Sequence, residues 1–289
     1  MRGGFGMAIS KVSGGWPAAV CGMLLLVLPP SFTRAAESLD LVGDFVQGGL
    51  VRGNTRPGAT VAIDGDPVPV SQAGVFLIGF DRDAPETALL VVSLPGGESI
   101  ERRLPVERRE YRIQRIDGLP PKKVTPDPDV LERIRDEAAR VRNARKRVDP
   151  RTDFLEGFVW PAQGRISGVY GSQRVLNGEP RRPHYGVDVA APAGTPVQAP
   201  ADGIVTLAEP DLYYSGGTVI LDHGHGLSSS FLHLSRVQVA VGQVLSRGDR
   251  IGEIGATGRA TGPHLDWRMN LRKAYIDPQM LAPPMQGAR

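Results

Sequence analysis

The stretch HLDWRMN at residues 264–270 alternates between two kinds of side chain over its whole length. Apolar residues occupy every second position from Leu265 to Met269, and polar residues, beginning with His264 and Asp266, occupy the rest. A period of two is the pattern of a β-strand with one face in an apolar core. It predicts a half-buried strand on which His264 and Asp266 share a face, with their Cα atoms about 7 Å apart.

The sequence around this strand is rich in glycine and contains other short strand candidates. They lie at residues 203–208, 218–222 and 229–234. Because little of the sequence from 151 to 289 has the period of a helix, we predict an all-β domain there. Alternation within 229–234 further predicts that His233 shares a face with Ser229 and Phe231.

All the histidines of the chain lie in this predicted domain, at His184, His223, His225, His233 and His264. Histidine is a common ligand of catalytic zinc, and neutral imidazole is a good proton acceptor near neutral pH. His223 and His225 flank a glycine in a predicted turn between strands. We predict a structural role for His223 and a surface position for His225.

The segment from His184 to Asp188 adds an imidazole and a carboxylate, and Gly186 allows a tight path between them. A catalytic zinc site usually has three protein ligands and one open position for water. His184, Asp188 and Asp266 can supply those three ligands for Zn²⁺. His233 and His264 then remain as catalytic residues, to act as a general base and to stabilise a tetrahedral oxyanion.

Several ordered motifs carry a resemblance to a known family. They are HYGVD at 184–188, APADG at 199–203, DHG at 222–224, HLS at 233–235 and TGRATGPHLD at 257–266. Across residues 160–281 the chain resembles the lysostaphin/LytM-type zinc metallopeptidases, which cut peptide cross-links in peptidoglycan. The resemblance implies a LytM-type β catalytic domain with its site in a groove. It also implies zinc bound through His184 and Asp188, with His233 and His264 near the substrate.

One position departs from the pattern of that family, which ends in His-x-His with the second histidine as a zinc ligand. The corresponding residue here is Asp266. Aspartate also binds zinc, although a second carboxylate makes the bound water less acidic and favours harder metals. In the competing interpretation Asp266 pairs with Arg268, two residues along the same face, and the metal is weak or absent.

The region 37–116 contains short β-like runs separated by glycine and proline. Candidates lie at 59–63, 75–78 and 89–92, and Asp64-Gly65 is a hairpin signal. We predict an N-terminal Ig-like β-sandwich, which either orients the substrate or caps the second domain.

Residues 117–150 are predicted to form a helical linker, proline-rich at first and then a basic helix. Asp129 is the predicted N-cap, with Glu132 at the spacing of a capping box. The helix carries an apolar stripe and ends in an arginine-rich segment at 140–147. That segment either favours phosphate or carboxylate polymers or forms a solvated face.

The first 36 residues are predicted to be a signal peptide. A basic start precedes an apolar run at 18–28, and small residues allow cleavage after Ala35 or Ala36. The only cysteine, Cys21, lies inside that run. The alternative is that this segment stays uncleaved as a membrane anchor. If the signal peptide is cleaved, the mature chain is expected to keep no transmembrane segment. It is then expected to be exported, in the periplasm or at the cell wall.

The predicted function is therefore that of a zinc metalloendopeptidase, hydrolysing peptide bonds in peptidoglycan stems or cross-bridges during cell-wall remodelling. The alternative is a degenerate, non-catalytic LytM-like domain that binds cell wall or activates a separate amidase. Expected partners are peptidoglycan, with a cell-wall amidase or divisome proteins as further candidates. The formal net charge of +3 makes the chain mildly basic, which suits a polyanionic partner without identifying one. No nucleic-acid partner is expected.

Overall fold

The computed structural model describes residues 39–116 and 128–285. The predicted signal peptide at 1–36, and residues 117–127 of the predicted linker, lie outside these ranges. Across the two described ranges no helix combines the length and apolar character needed to cross a membrane. The prediction of a mostly β fold is confirmed, because the described residues form many strands and one α-helix.

The N-terminal region contains two antiparallel sheets around one apolar core. Its strands are β1 (Leu39–Gly43), β2 (Leu50–Thr55), β3 (Thr60–Ile63), β4 (Asp66–Val68), β5 (Val75–Gly79), β6 (Thr87–Ser93) and β7 (Ser99–Pro105). The sheets have the orders β1-β2-β5 and β4-β3-β6-β7. Asp64 and Gly65 both have positive φ in the turn from β3 to β4, as a two-residue hairpin requires. The Ig-like relationship of this region remains a prediction.

One helix, α1 (Leu131–Ala144), follows the gap in the described residues. The prediction that Asp129 caps it is wrong, because residues 128–130 form a 3-10 turn that runs directly into the helix. Val130 therefore occupies the N-cap position, and its side chain makes no capping hydrogen bond. At the other end, Val141 and Ala144 pack against an apolar cluster of the C-terminal sheet.

Strand β8 (Ile113–Ile116) pairs in parallel with β10 (Gln173–Leu176). The other remaining strands form the C-terminal region. They are β9 (Arg165–Gly168), β10 (Gln173–Leu176), β11 (Glu179–Pro180), β12 (Gly186–Ala190), β13 (Pro196–Gln198), β14 (Gly203–Leu212), β15 (Gly216–Asp222), β16 (Leu227–Val237), β17 (Val244–Leu245), β18 (Arg250–Ile254), β19 (His264–Leu271) and β20 (Ala274–Ile276). The main sheet has the order β17-β14-β15-β16-β19-β12-β9. All four strand candidates of this region are confirmed within β14, β15, β16 and β19.

The register of the central strands determines which side chains enter the core. Val219, Phe231, Trp267 and Val187 lie opposite one another across β15, β16, β19 and β12, and none of them is exposed. This row buries one face of the sheet. Because side chains alternate along a strand, the opposite face is left to the polar residues of β12 and β19.

Candidate metal centre

Asp188 and Asp266 lie directly opposite each other on neighbouring antiparallel strands, β12 and β19. Both point to the face away from the apolar core. Like charges at directly opposed positions repel each other unless a cation compensates them. The register of two strands therefore creates a place for positive charge.

His184, just before β12, brings an imidazole to the two carboxylates. Its Nε2 lies 3.2 Å from Oδ1 of Asp188, and its Nδ1 lies 4.0 Å from Oδ2 of Asp266. Burial disfavours the charged imidazole, but Asp188 and Asp266 outweigh this effect and raise the pKa of His184. The field of the pair thus favours a cation, either a proton on His184 or a metal ion.

Two of the three predicted ligands fit a zinc ion well. Nε2 of His184 and Oδ1 of Asp188 are both buried, and neither has a hydrogen-bond partner among the described residues. Tetrahedral zinc with ligand distances of about 2.0 Å places its ligand atoms about 3.3 Å apart, close to the 3.2 Å between these two atoms. With Asp266 included, one ligand atom from each residue lies within 4.8 Å of the others.

Asp266 is shared between this centre and an arginine. Nε of Arg268 donates to both carboxylate oxygens of Asp266 at 3.0 Å, and a terminal guanidinium nitrogen also contacts Oδ2. Burial opposes ionisation of Asp266, but Arg268 and His184 outweigh it and lower the pKa of Asp266 to about 2. Asp266 is thus ionised, yet its oxygens are already occupied. It fits a metal less well than His184 and Asp188.

The two predicted catalytic histidines lie beside this centre. The ring centroids of His233 and His264 are 4.7 Å apart, and Nε2 of His264 is 3.9 Å from Oδ1 of Asp188. Nδ1 of His264 bonds the carbonyl of Gly262, and Nδ1 of His233 bonds that of Thr257, each at 2.8 Å. A carbonyl only accepts, so Nδ1 carries the proton in both rings. In its neutral form each imidazole therefore has Nε2 as its proton acceptor.

The prediction that His233 shares a face with Ser229 and Phe231 is wrong. Between β15 and β16 the register shifts, so that Val219 faces Phe231 but Gly217 faces Leu234. One extra residue is accommodated on β16, and His233 has a φ of 66°. A bulge of this kind turns a side chain to the other face of the sheet. It brings His233 to His264 instead of burying it with Phe231.

Two glycines leave room for the carboxylates. A Cβ on Gly168 would lie 2.1 Å from Oδ2 of Asp188, and a Cβ on Gly186 would lie 2.4 Å from Oδ1 of Asp266. Sequence reasoning missed Gly168, which precedes the site by many residues and belongs to no motif. Only the pairing of β9 with β12 brings it beside Asp188.

The two remaining histidines are structural, and neither contacts the candidate centre. His223 is fully buried, with Nδ1 2.6 Å from the carbonyl oxygen of Asp202 and Nε2 2.7 Å from Oγ of Ser229. The predicted surface position of His225 is wrong, because its side chain is also fully buried and its ring packs edge-on against Phe154. The segment around Phe154, which leads into this domain, covers the turn that contains His225. The local sequence of the turn does not indicate this contact.

Acid is expected to destabilise the fold through His223. Burial lowers its pKa to about 4, whereas an unfolded histidine titrates near 6.5. The unfolded chain therefore binds the extra proton first, and stability present above pH 6.5 is lost as the pH falls towards 4. Urea unfolding at pH 7 and pH 4.5 should show a loss of about 2 to 3 kcal/mol from this group. A His223→Gln variant should lack this part of the loss of stability between pH 7 and pH 4.5. An equal loss in both proteins would contradict the assignment.

Comparison with known proteins places this geometry in a family. The family model described as "Peptidase family M23" matches residues 182–278, which include every residue of the candidate centre. The peptidoglycan DD-endopeptidase ShyA of Vibrio cholerae is 41% identical over 106 residues, covering 37% of this chain and 24% of ShyA. The DD-carboxypeptidase/endopeptidase Mpg of Neisseria meningitidis is 38% identical over 120 residues, covering 42% of this chain and 27% of Mpg.

These two curated relatives are matched over only about a quarter of their own length. A solved structure extends the similarity further. The crystal structure of a Pseudomonas aeruginosa protein assigned to peptidase M23 is 32% identical, with a TM-score of 0.64. The similarity covers 81% of this chain and 93% of the Pseudomonas chain, and so extends well beyond residues 182–278. On this similarity, and on the match across the candidate centre, the chain belongs to peptidase family M23.

Proposed function

We propose that this protein is a zinc-dependent endopeptidase that hydrolyses peptide bonds in peptidoglycan stems or cross-bridges during cell-wall remodelling. One observation carries the proposal. Two buried ligand atoms, on His184 and Asp188, have no hydrogen-bond partner among the described residues and lie 3.2 Å apart. Beside them, His233 and His264 use Nδ1 to bond backbone carbonyls, which leaves Nε2 as the proton acceptor of each neutral ring. The names of the relatives ShyA and Mpg support the substrate class and the choice of an endopeptidase.

In this proposal His184 and Asp188 hold the zinc ion, and Asp266 completes the ligand set. When bound, zinc polarises the scissile carbonyl and makes a water molecule acidic. His264, whose Nε2 lies 3.9 Å from Oδ1 of Asp188, accepts a proton on that nitrogen. A protonated His233 or His264 then donates that N–H to the developing oxyanion or to the leaving amine.

The proposed function also implies the compartment in which the protein acts. A substrate in the cell wall requires an exported enzyme, in agreement with the predicted signal peptide at 1–36. We therefore assign the mature chain to the periplasm or the cell wall. Peptidoglycan is its proposed partner, and a cell-wall amidase or divisome protein is the further partner in the non-catalytic alternative.

The alternative function has its own supporting observation. Arg268 occupies both oxygens of Asp266, the residue that stands where the family pattern has its second histidine ligand. A centre with two free ligands holds zinc weakly, since structural and catalytic sites use at least three. In that case the domain binds cell wall, or activates a separate amidase, without hydrolysing peptides.

Metal content and digestion of isolated peptidoglycan distinguish the two functions. The enzyme proposal expects about one zinc ion per purified chain and release of soluble peptides that a chelator stops. His184→Ala should abolish both, because it removes one of the two buried ligand atoms that have no hydrogen-bond partner among the described residues. Lys273→Ala, an exposed change in the turn after β19, should retain both. Metal-free wild-type protein that binds peptidoglycan, unaffected by chelator, would support the binding module instead.

A further inference from the structure

The linker helix α1 lies on the same face of the sheet as the candidate centre. Its residues Val141 and Ala144 pack against the apolar cluster that includes Ile220 of β15. Ile220 faces Ser230 on β16, and Ser230 faces Arg268 on β19. The helix therefore borders the polar surface that continues from Asp266 along β19.

Arg145, at the C-terminal end of this helix, reaches down to that surface. Its guanidinium donates to Oγ of Ser230 at 2.9 Å. Its Nε is buried and has no hydrogen-bond partner, and no carboxylate of the described residues comes within 4.0 Å of it. Burial, together with Arg268 and Arg182 but offset in part by Tyr275, lowers the pKa of Arg145 to about 10. The residue as a whole is half-buried, and a cation that is partly withdrawn from water without an anion is unfavourable.

Arg182 approaches the same place from the loop before β12. It donates to the hydroxyl of Tyr275, and its guanidinium lies 5.2 Å and 5.3 Å from the ring centres of Tyr275 and Tyr185. Those two rings are stacked, with centroids 4.0 Å apart and an interplanar angle of 15°. Arg182 is thereby oriented by a rigid aromatic platform.

We call Arg145, Arg182 and Arg268 the arginine cluster. Within it Asp266 neutralises only Arg268, so an excess of positive charge remains. Arg268 lies two residues along β19 from Asp266, which corresponds to about 7 Å. An extended peptide held at the candidate centre would cover that distance with about two residues.

We propose that the arginine cluster binds a free carboxylate of the peptide substrate, one or two residues from the scissile bond. Guanidinium groups suit this ligand, because their planar fork matches a carboxylate with two parallel hydrogen bonds. Nε of Arg145 has no hydrogen-bond partner among the described residues, and the terminal nitrogen that bonds Ser230 carries a second N–H, so these two nitrogens provide such a fork. The inference rests on the proposed function, since it takes the peptide to lie across the candidate centre.

Peptide binding without turnover tests the inference. The probes are diacetyl-L-lysyl-D-alanyl-D-alanine and its C-terminal carboxamide, titrated calorimetrically into the full chain with chelator present. The wild type should bind the acid about tenfold more tightly than the amide, or better. Arg145→Gln should reduce that preference to about twofold or less. Arg142→Gln, an exposed change at the same end of α1, should preserve it.

Further variants distinguish a specific loss of carboxylate binding from misfolding of the protein. Arg182→Gln should weaken the preference without altering α1, and Arg145→Lys should retain part of it, since lysine keeps the charge but not the fork. Thermal unfolding of each variant verifies that it is folded. A wild type that does not prefer the acid, or an Arg145→Gln protein with undiminished preference, would overturn the inference.

The outcome is separable from that of the proposed function. An acid preference that depends on Arg145, in a protein with neither zinc nor hydrolytic activity, would retain the carboxylate site and exclude the enzyme. Hydrolysis without any preference for the acid over the amide would support the enzyme and exclude the carboxylate site.

Discussion

Asp266→Asn is expected to lower the free energy of unfolding by about 3 to 5 kcal/mol. The side chain is 3% exposed and bonds Arg268 through both oxygens. Asparagine keeps the shape but removes the charge, and it leaves the guanidinium of Arg268 in a largely buried position without its anion. Chemical denaturation of the two proteins side by side measures the difference. A loss below about 1 kcal/mol, the value typical of an exposed pair, would mean that the pair contributes little.

The same variant separates the two roles of Asp266. If Asp266 is a zinc ligand, the variant also loses zinc. If Asp266 serves only Arg268, the variant retains whatever zinc the wild type holds. Asp188→Asn is the matched control, because Asp188 makes no contact with Arg268 shorter than 4.0 Å among the described residues. It should lose zinc with a much smaller cost in stability.

Trp267→Ala is expected to lower the free energy of unfolding by about 3 to 5 kcal/mol through the cavity that it creates. Trp267 is fully buried between its neighbours on β12 and β16, and its ring packs edge-on against Trp160 at 5.5 Å. Because Trp267 lies between Asp266 and Arg268, collapse of its pocket would also disturb the candidate centre. Urea denaturation and metal content measure the two effects.

Trp267→Phe is the corresponding control. Phenylalanine refills most of the pocket, and it removes an indole N–H that has no hydrogen-bond partner among the described residues. Its cost should therefore be less than half that of Trp267→Ala. Equal losses for the two variants would indicate that edge-on contact with Trp160, and not volume, holds this strand in place.

Alternation along β19 was readable from sequence because it is a local property. Every second residue from Leu265 to Met269 enters the core, and the polar residues between them share the other face. The hairpin at Asp64-Gly65 was readable for the same reason, since the turn depends on those two residues alone. Such signals need no knowledge of which strands become neighbours.

Three features needed the tertiary structure. The side to which His233 points depends on a bulge, which arises from the register between β15 and β16 and not from β16 itself. Burial of His225 depends on a preceding segment that packs over its turn. The place of Arg145 depends on the docking of α1, which brings residues 85 positions apart into contact.

By itself, the sequence determined the strand that carries Asp266, the imidazole and carboxylate of His184 and Asp188, and the family to which they point. Those properties follow from residue type and spacing within short segments. Only the tertiary structure decided what each group faces: Asp188 faces Asp266, Asp266 bonds Arg268, and two ligand atoms find no hydrogen-bond partner in the described part of the chain. The reason is physical, because the charge and hydrogen bonding of a side chain are set by neighbours that distant strands provide.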